Sequence, residues 1–71
     1  MDKPKAGEVY KHFKGTLHTI IAIAKHSETL EEMVVYTHDG EHAGIWVRPL
    51  VMFTEEIERD GRRFKRFELV S

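Results

Sequence analysis

The sequence predicts a single small domain of the all-β class. Residues that favour turns recur about every eight to twelve positions along the 71-residue chain, which is the strand spacing of small barrels and sandwiches. Between these turns, Leu17 to Lys25 is largely apolar on both faces of an extended strand, and Val34-Val35 is β-branched. A chain this short buries only about 60% of its unfolded surface, so we expect no sizeable internal active site.

The composition is that of a globular domain without a dominant charge. Eleven Lys and Arg oppose twelve Asp and Glu, so the net charge of −1 provides no general attraction to nucleic acid or to anionic membranes. The absence of cysteine excludes disulfides, thiolate zinc sites and cysteine nucleophiles, and it makes the cytoplasm the expected compartment. Residues 1–5 lack the apolar segment of a signal peptide, and the longest apolar run, residues 20–24, is too short to span a membrane.

The first part of the chain is predicted to form a leader and two strands. Residues 1–6 are expected to fray, and the folded domain covers residues 7–71. The first strand extends over Gly7 to Phe13, and Gly15 then provides a turn because glycine adopts a positive φ without steric cost. Leu17 to Lys25 follows as a central strand, since both of its faces are mostly apolar.

A loop and two further strands occupy the middle of the chain. Residues 27–32 are polar and are predicted to form an exposed loop or at most one helical turn, since β-branched residues begin too soon for a helix. Met33 to Thr37 is the third predicted strand, and Asp39-Gly40 is a strong tight-turn dipeptide. Gly44 to Arg48 is the fourth strand, which ends at Pro49 because proline cannot donate to a strand ladder.

The last part is ambiguous between helix and strand over residues 54–60. Leu50, Phe53 and Ile57 lie at helical spacing, whereas Asp60-Gly61 between two apolar positions indicates a hairpin. We predict a helical turn over Leu50 to Phe53, then a hairpin, and a final strand over residues 64–70. About five strands with a helical turn before the last hairpin or strand is the pattern of an SH3-like barrel, a fold that by itself says little about activity.

The polar motifs favour binding over catalysis. His38 and His42 are four residues apart, but Asp39-Gly40 between them breaks the helix that this zinc-ligand spacing requires. The run His26-Ser27-Glu28-Thr29 places a base, hydroxyls and a carboxylate next to one another, whereas catalytic triads assemble from distant segments. This run is therefore predicted to be a hydrogen-bonding loop. We expect no enzyme activity, no metal and no cofactor.

The fourth predicted strand carries the main indication of a binding groove. Alternation places Trp46 and Arg48 on one face, where an aromatic plane beside a guanidinium can stack on a ring and bind an anion. In this interpretation Ile45 and Val47 belong to the core; in the alternative, Trp46 is itself a core residue. The predicted groove recognises a small anionic or aromatic molecule or a peptide, and it is lined by Tyr10, His12, Tyr36, Trp46 and Arg48, with His26 and Glu28 at one rim.

The guanidinium of Arg48 is predicted to meet an acid. Pro49 restricts the backbone directly after Arg48, and a partly buried charge without a partner is costly. Glu28 is the expected partner, with carbonyl oxygens at the same rim as the alternative. An Arg48–Glu28 pair joins two polar segments of the chain into one site.

Single-stranded nucleic-acid binding is the alternative function. Trp46 and Phe64 are candidates for base stacking. The candidate phosphate contacts lie on either side of Phe64, and they are Arg62, Arg63, Lys65 and Arg66. The same pattern protects an exposed edge strand against aggregation, and acidic stretches such as Glu55-Glu56 can neutralise it. This protective interpretation of the basic tract is the favoured one.

Several short segments together resemble a known family. In chain order they are His12-Phe13-Lys14-Gly15, residues 24–29 (Ala-Lys-His-Ser-Glu-Thr), Val34-Val35-Tyr36, Trp46-Val47-Arg48-Pro49, Met52-Phe53 and Arg66-Phe67. Over residues 7–70 the chain resembles a bacterial family of small stand-alone proteins catalogued only as a domain of unknown function. The resemblance implies an SH3-like barrel with no established activity, cofactor or substrate. In that family an aromatic residue is usual at the position of His18, and a bulkier apolar-aromatic pair is usual near Asp39-Gly40.

Overall fold

The computed structural model of the protein describes residues 3–38 and 43–71 and shows an all-β, barrel-like fold. In chain order its elements are β1 (Val9–His12), β2 (Leu17–Lys25), β3 (Glu32–His38), β4 (Gly44–Pro49), α1 (Leu50–Phe53), β5 (Glu56–Arg59), β6 (Arg62–Lys65) and β7 (Phe67–Leu69). The predicted second strand has the same bounds as β2, and the predicted final strand is divided into β6 and β7. Within the described ranges, no helix is both long enough and apolar enough to cross a membrane.

Five strands form one antiparallel sheet, and the other two form a hairpin. The order in the large sheet is β4-β3-β2-β1-β7, which places β2 in the middle as its apolar faces predicted. β5 pairs only with β6 among the described strands. Asp60 and Gly61 join them with φ of 52° and 75°, the two positive values that a two-residue type I′ turn requires. The ambiguity over residues 54–60 therefore resolves into a strand and a hairpin turn.

The core is a cluster of aromatic and aliphatic side chains between the large sheet and α1. It consists of Ile20, Val34, Tyr36, Phe53 and Phe67, all buried. Phe53 from α1 stacks on Phe67 from β7, with ring centroids 4.0 Å apart and planes 5° apart. The helical turn thus carries one aromatic ring onto the sheet, and the last strand supplies the ring beneath it.

A bulge in β2 changes which residues face this core. The register between β2 and β3 shifts between Ile20 and Ala22, so that Ile20 lies opposite Tyr36 and Ile23 lies opposite Val34. Strict alternation predicts that Ile20 and Ile23 lie on opposite faces of the strand. The extra residue in the bulge brings both of them to the core side.

The predicted core position of Ile45 and Val47 is wrong. β4 pairs with β3 so that Trp46 lies opposite Tyr36 and Arg48 opposite Val34. Residues directly opposite in an antiparallel ladder share a face of the sheet, so Trp46 and Arg48 lie on the core side. Ile45 and Val47 lie on the outer face, where they are 71% and 56% exposed.

Residues 3–6 differ from the predicted frayed leader because they are bound to the rest of the fold. The Lys3 ammonium lies 2.8 Å from the Glu32 carboxylate at the start of β3. Pro4 is fully buried, and the Gly7 amide donates a hydrogen bond to the Ile20 carbonyl at 2.9 Å. Residues 3–6 are therefore packed against the rest of the fold.

Candidate functional site

A cavity of about 180 Å³ lies among side chains from β1, β2, β3, β4 and β7. We call it the histidine pocket, and its lining residues are His12, Lys14, Thr16, His18, Tyr36, His38, Arg48 and Phe67. Three predicted groove residues meet in it: His12, Tyr36 and Arg48. None of the described residues that line it is an Asp or a Glu, so the lining presents cations and hydrogen-bond donors without a carboxylate.

His18 is a buried wall of the histidine pocket. Its Nδ1 donates to the Thr37 carbonyl at 3.0 Å, since a carbonyl oxygen only accepts, and its Nε2 accepts from the Thr16 hydroxyl at 2.8 Å. The ring also meets Tyr36 and Phe67 edge to face, each with centroids 5.3 Å apart. The ring thus holds the Thr16 hydroxyl by a hydrogen bond. Its place in the aromatic cluster agrees with the aromatic residue that the resemblance implies there.

His12 is a neutral donor at the edge of the core. The Lys14 amide donates to His12 Nδ1 at 3.1 Å, so the proton of the neutral ring is on Nε2. Nε2–H is therefore the donor that remains for a ligand. The pKa of His12 is lowered from 6.5 to about 4, first by burial and then by the neighbouring basic groups of His18, Arg48, Arg66 and Lys14.

Arg48 is held by aromatic side chains rather than by an acid. Its Nε donates to the Tyr36 hydroxyl at 3.5 Å, and its guanidinium carbon lies 5.6 Å from the centre of the Phe67 ring. The predicted pair with Glu28 does not form, and no ion pair among the described residues involves Arg48. The two terminal nitrogens of a partly buried guanidinium thus remain as donors beside the cavity.

The other predicted groove residues lie outside the lining of the histidine pocket. Tyr10 packs edge to face on Phe53 at 5.3 Å, and its hydroxyl donates to Glu8. His26 organises the β2–β3 turn, because its Nδ1 accepts from the amides of Glu28 and Thr29 at 3.1 and 3.4 Å. The turn is hydrogen-bonded, as predicted for residues 26–29. However, His26 and Glu28 do not line the histidine pocket, so the structure does not place them at the rim of that cavity.

Trp46 borders the pocket without lining it. The indole is 47% exposed, and its ring centroid lies 6.4 Å from that of His38, which does line the cavity. Trp46 is therefore neither a buried core residue nor part of the pocket lining. Trp46 is on the core side of β4 but at its margin.

Acidic side chains neutralise much of the basic tract. In the β5–β6 hairpin Glu58 lies opposite Arg63, and Arg63 Nε is 4.0 Å from a Glu56 oxygen. Arg66 forms an ion pair with Glu55. Cross-strand pairs of opposite charge stabilise a hairpin, which is a sufficient reason for this pattern.

The stacking residues of the nucleic-acid alternative lie in different sheets. Phe64 is in β6, where it is partly buried against Phe13 with centroids 5.6 Å apart. Trp46 is in β4 of the five-stranded sheet. The two rings therefore do not belong to one continuous stacking surface within a single sheet.

A second cavity, of about 370 Å³, lies between β1 and the β6–β7 segment. Its lining includes Lys11 and Lys65 together with Glu68, so it contains a carboxylate that the histidine pocket lacks. Within residues 3–38 and 43–71, no three His, Asp or Glu residues converge as metal ligands. His42, considered above as a partner of His38 in a zinc site, lies outside the described residues, and so does the predicted turn at Asp39-Gly40.

Sequence reasoning missed the part of the histidine pocket that depends on strand pairing. Lys14, Thr16, His18, His38 and Phe67 all line it, yet they come from four separate segments. The available signal was five histidines in 71 residues, two of them on strands with apolar neighbours. A histidine among apolar strand residues indicates a polar position at the margin of a core.

Comparisons with known proteins agree with the sequence resemblance. Residues 8–69 match the family described as "Protein of unknown function (DUF1653)". A crystal structure of a DUF1653 protein from Bordetella bronchiseptica is similar, with 31% sequence identity, a TM-score of 0.82, and coverage of 97% of this chain and 88% of that chain. No curated protein matches the sequence. From this family match and this structural similarity, the chain belongs to the DUF1653 family.

Proposed function

We propose that this protein is a small binding domain that recognises the anionic group of a ligand, a phosphate or a carboxylate, in the histidine pocket. The observation that carries the proposal is the environment of Arg48, a partly buried guanidinium that forms no ion pair with any described residue. The described residues that line its pocket include no carboxylate. A partly buried cation without a counter-charge is costly, so an anionic ligand would supply the negative charge that the described lining lacks.

The neighbouring groups support the same ligand chemistry. Lys14 adds a second cation to the lining, and His12, whose Nε2–H donates to no described residue, lines the same cavity. A volume of about 180 Å³ accommodates one phosphate or carboxylate group with part of the molecule that carries it. The cytoplasm remains the expected compartment, because a cysteine-free domain of this size has no disulfides to stabilise it outside the cell.

A titration with inorganic phosphate, followed by ¹H–¹⁵N NMR, tests the proposal. We expect chemical-shift changes at the Arg48 side-chain Nε–H and at the amides of Lys14 and Thr16. Arg48→Gln removes charge-assisted hydrogen bonds and is expected to weaken binding about tenfold or more. Arg48→Lys keeps the charge but lacks the planar fork, so its affinity is expected to be intermediate.

Arg62→Gln is the matched control, since it removes one positive charge from the exposed strand β6. Its phosphate affinity is expected to equal that of the unmodified protein. The proposal fails if phosphate causes no shifts in the histidine pocket. Shifts confined to residues 62–66 instead favour the nucleic-acid alternative.

A further inference from the structure

Trp46 is a large aromatic side chain at the margin of a donor-rich cavity. It is 47% exposed, although a domain of this size has few aromatic rings with which to build a core. Trp46 and Arg48 lie on the same face of β4 and two residues apart, which separates their Cβ atoms by about 7 Å. A half-exposed indole therefore lies on the same face of β4 as the guanidinium that the proposed function assigns to an anion.

The indole is oriented along β4 away from Arg48. Its Nε1 lies 3.8 Å from the position that a Cβ would occupy on Gly44, two residues before Trp46. The ring also meets His38 at 6.4 Å, and His38 lines the histidine pocket. The indole therefore lies beside His38, one residue of the pocket lining. Because it is oriented toward Gly44, it lies farther from the Arg48 guanidinium than the spacing of the two Cβ atoms implies.

From this arrangement we infer that the ligand is an aromatic phosphate of the nucleoside monophosphate type, with its phosphate on Arg48 and its planar ring stacked on Trp46. The inference rests on the proposed function, because it assigns the anionic group to the same pocket. A nucleotide joins a planar ring to a phosphate through one sugar, so a single molecule of this class offers both groups to the same face of β4. Stacking on an indole tolerates any base, so the inference concerns the chemical class and not one base.

The experiment compares three probes by isothermal titration calorimetry and by fluorescence of Trp46, the single tryptophan of the chain. The probes are inorganic phosphate, ribose 5-phosphate and adenosine 5′-monophosphate. We expect adenosine 5′-monophosphate to bind about tenfold more tightly than ribose 5-phosphate, because it adds one base–aromatic stack. Only adenosine 5′-monophosphate is expected to quench the indole fluorescence.

Two variants assign the preference to the indole. Trp46→Ala is expected to remove the advantage of adenosine 5′-monophosphate while leaving the affinity for ribose 5-phosphate unchanged. Trp46→Phe retains a ring and is expected to keep part of the advantage. Ile45→Ala is the control, since it truncates the neighbouring side chain on the outer face of β4.

The outcomes separate this inference from the proposed function. If adenosine 5′-monophosphate and ribose 5-phosphate bind equally well through Arg48, the aromatic inference is overturned and the anion pocket stands. If no probe binds, the proposed function is overturned together with the inference. A tenfold preference that survives in Trp46→Ala also overturns the inference, because the ring is then recognised elsewhere.

Discussion

The titration of His12 makes the stability of the folded protein depend on pH. In the folded protein its pKa is about 4, mainly because burial disfavours the charged ring, whereas the ordinary value is 6.5. Between these two values the unfolded chain takes up a proton that the folded protein does not. The contribution of His12 to the free energy of unfolding therefore falls as the pH falls from 6.5 toward 4, and it is constant above this window.

The variant His12→Gln tests this dependence, since glutamine does not titrate. We expect the difference in unfolding free energy between the unmodified protein and His12→Gln to be constant from pH 8 to pH 7. Between pH 6.5 and pH 4 the difference should shift in favour of the variant. Urea denaturation at each pH measures it, and a difference that stays constant down to pH 4 contradicts the neutral assignment.

An anion bound beside His12 should favour its protonated form and raise its pKa. Sulfate is the suitable probe, because its charge stays constant over this pH range. We expect the affinity for sulfate to increase as the pH falls from 7 to 5, and this increase to be smaller in His12→Gln. NMR titrations at the two pH values provide the measurement. An equal pH dependence in both proteins shows that His12 does not contact the anion.

Arg48 shows where sequence reasoning at the residue scale ends. Alternation correctly placed Arg48 beside Trp46 on one face of β4. The partner was wrong, because it depended on how the turn after β2 folds. His26 draws the amide of Glu28 toward its own ring, and Glu28 is exposed in that turn. The actual neighbours of Arg48 are Tyr36 and Phe67, which alternation within one strand does not reveal.

At the scale of single elements, β4 has two faces that look equally suited to a core. Ile45 and Val47 are aliphatic and Trp46 is a large aromatic residue, so composition alone left the choice between the two faces open. The ladder with β3 determines the orientation, since Val34 and Tyr36 are buried and lie opposite Arg48 and Trp46. The choice of face is a property of the pair of strands, which is why one strand read alone did not predict it.

Substitutions on the two faces of the sheet test this orientation. We expect Ile45→Thr and Val47→Thr each to change the free energy of unfolding by less than about 0.5 kcal/mol, because both side chains are exposed. Val34→Thr is the comparison, and it should cost about 1–3 kcal/mol because it buries a hydroxyl. Chemical denaturation measures all three. A cost for Val47→Thr as large as that for Val34→Thr contradicts the assigned face.

The β2–β3 turn contains a residue in an unfavourable backbone conformation. Leu30 has φ of 63°, in the left-handed region that a branched side chain rarely adopts, and its side chain is exposed. Asparagine tolerates this region better, so Leu30→Asn is expected to raise the free energy of unfolding by about 1 kcal/mol. Glu31→Asn, at the next position with an ordinary φ, is the control and should not be stabilising. An unchanged melting temperature for Leu30→Asn argues against this turn conformation.

At the scale of the whole molecule, local signals predicted the elements and long-range pairing determined the site. The turn at Gly15, the helical turn over Leu50 to Phe53 and the hairpin at Asp60-Gly61 each follow from a few neighbouring residues, and each is present. The histidine pocket instead requires β1, β2, β3, β4 and β7 to be aligned side by side. Its register depends on a bulge in β2, which the apolar pattern of that strand does not indicate.

Phe67 belongs both to the core and to the histidine pocket. One face of its ring stacks on Phe53, and the ring also meets His12 at 4.9 Å and the Arg48 guanidinium at 5.6 Å. The last strand of the sheet therefore supplies a residue that the fold and the proposed site share. Stability and ligand binding should respond together to changes at this position.

Two substitutions of Phe67 separate these roles. Phe67→Ala is expected to cost about 3–5 kcal/mol, which is much of the stability of a small domain, so the variant should be largely unfolded by circular dichroism. Phe67→Leu fills most of the space and should remain folded, but it removes the aromatic surface beneath Arg48. Its phosphate affinity should fall, and phosphate should raise its melting temperature less than that of the unmodified protein. Val51→Ala, on the exposed side of α1, is the control and should leave both properties unchanged. Full phosphate affinity in folded Phe67→Leu would show that the ring supports the core without orienting Arg48 for an anion.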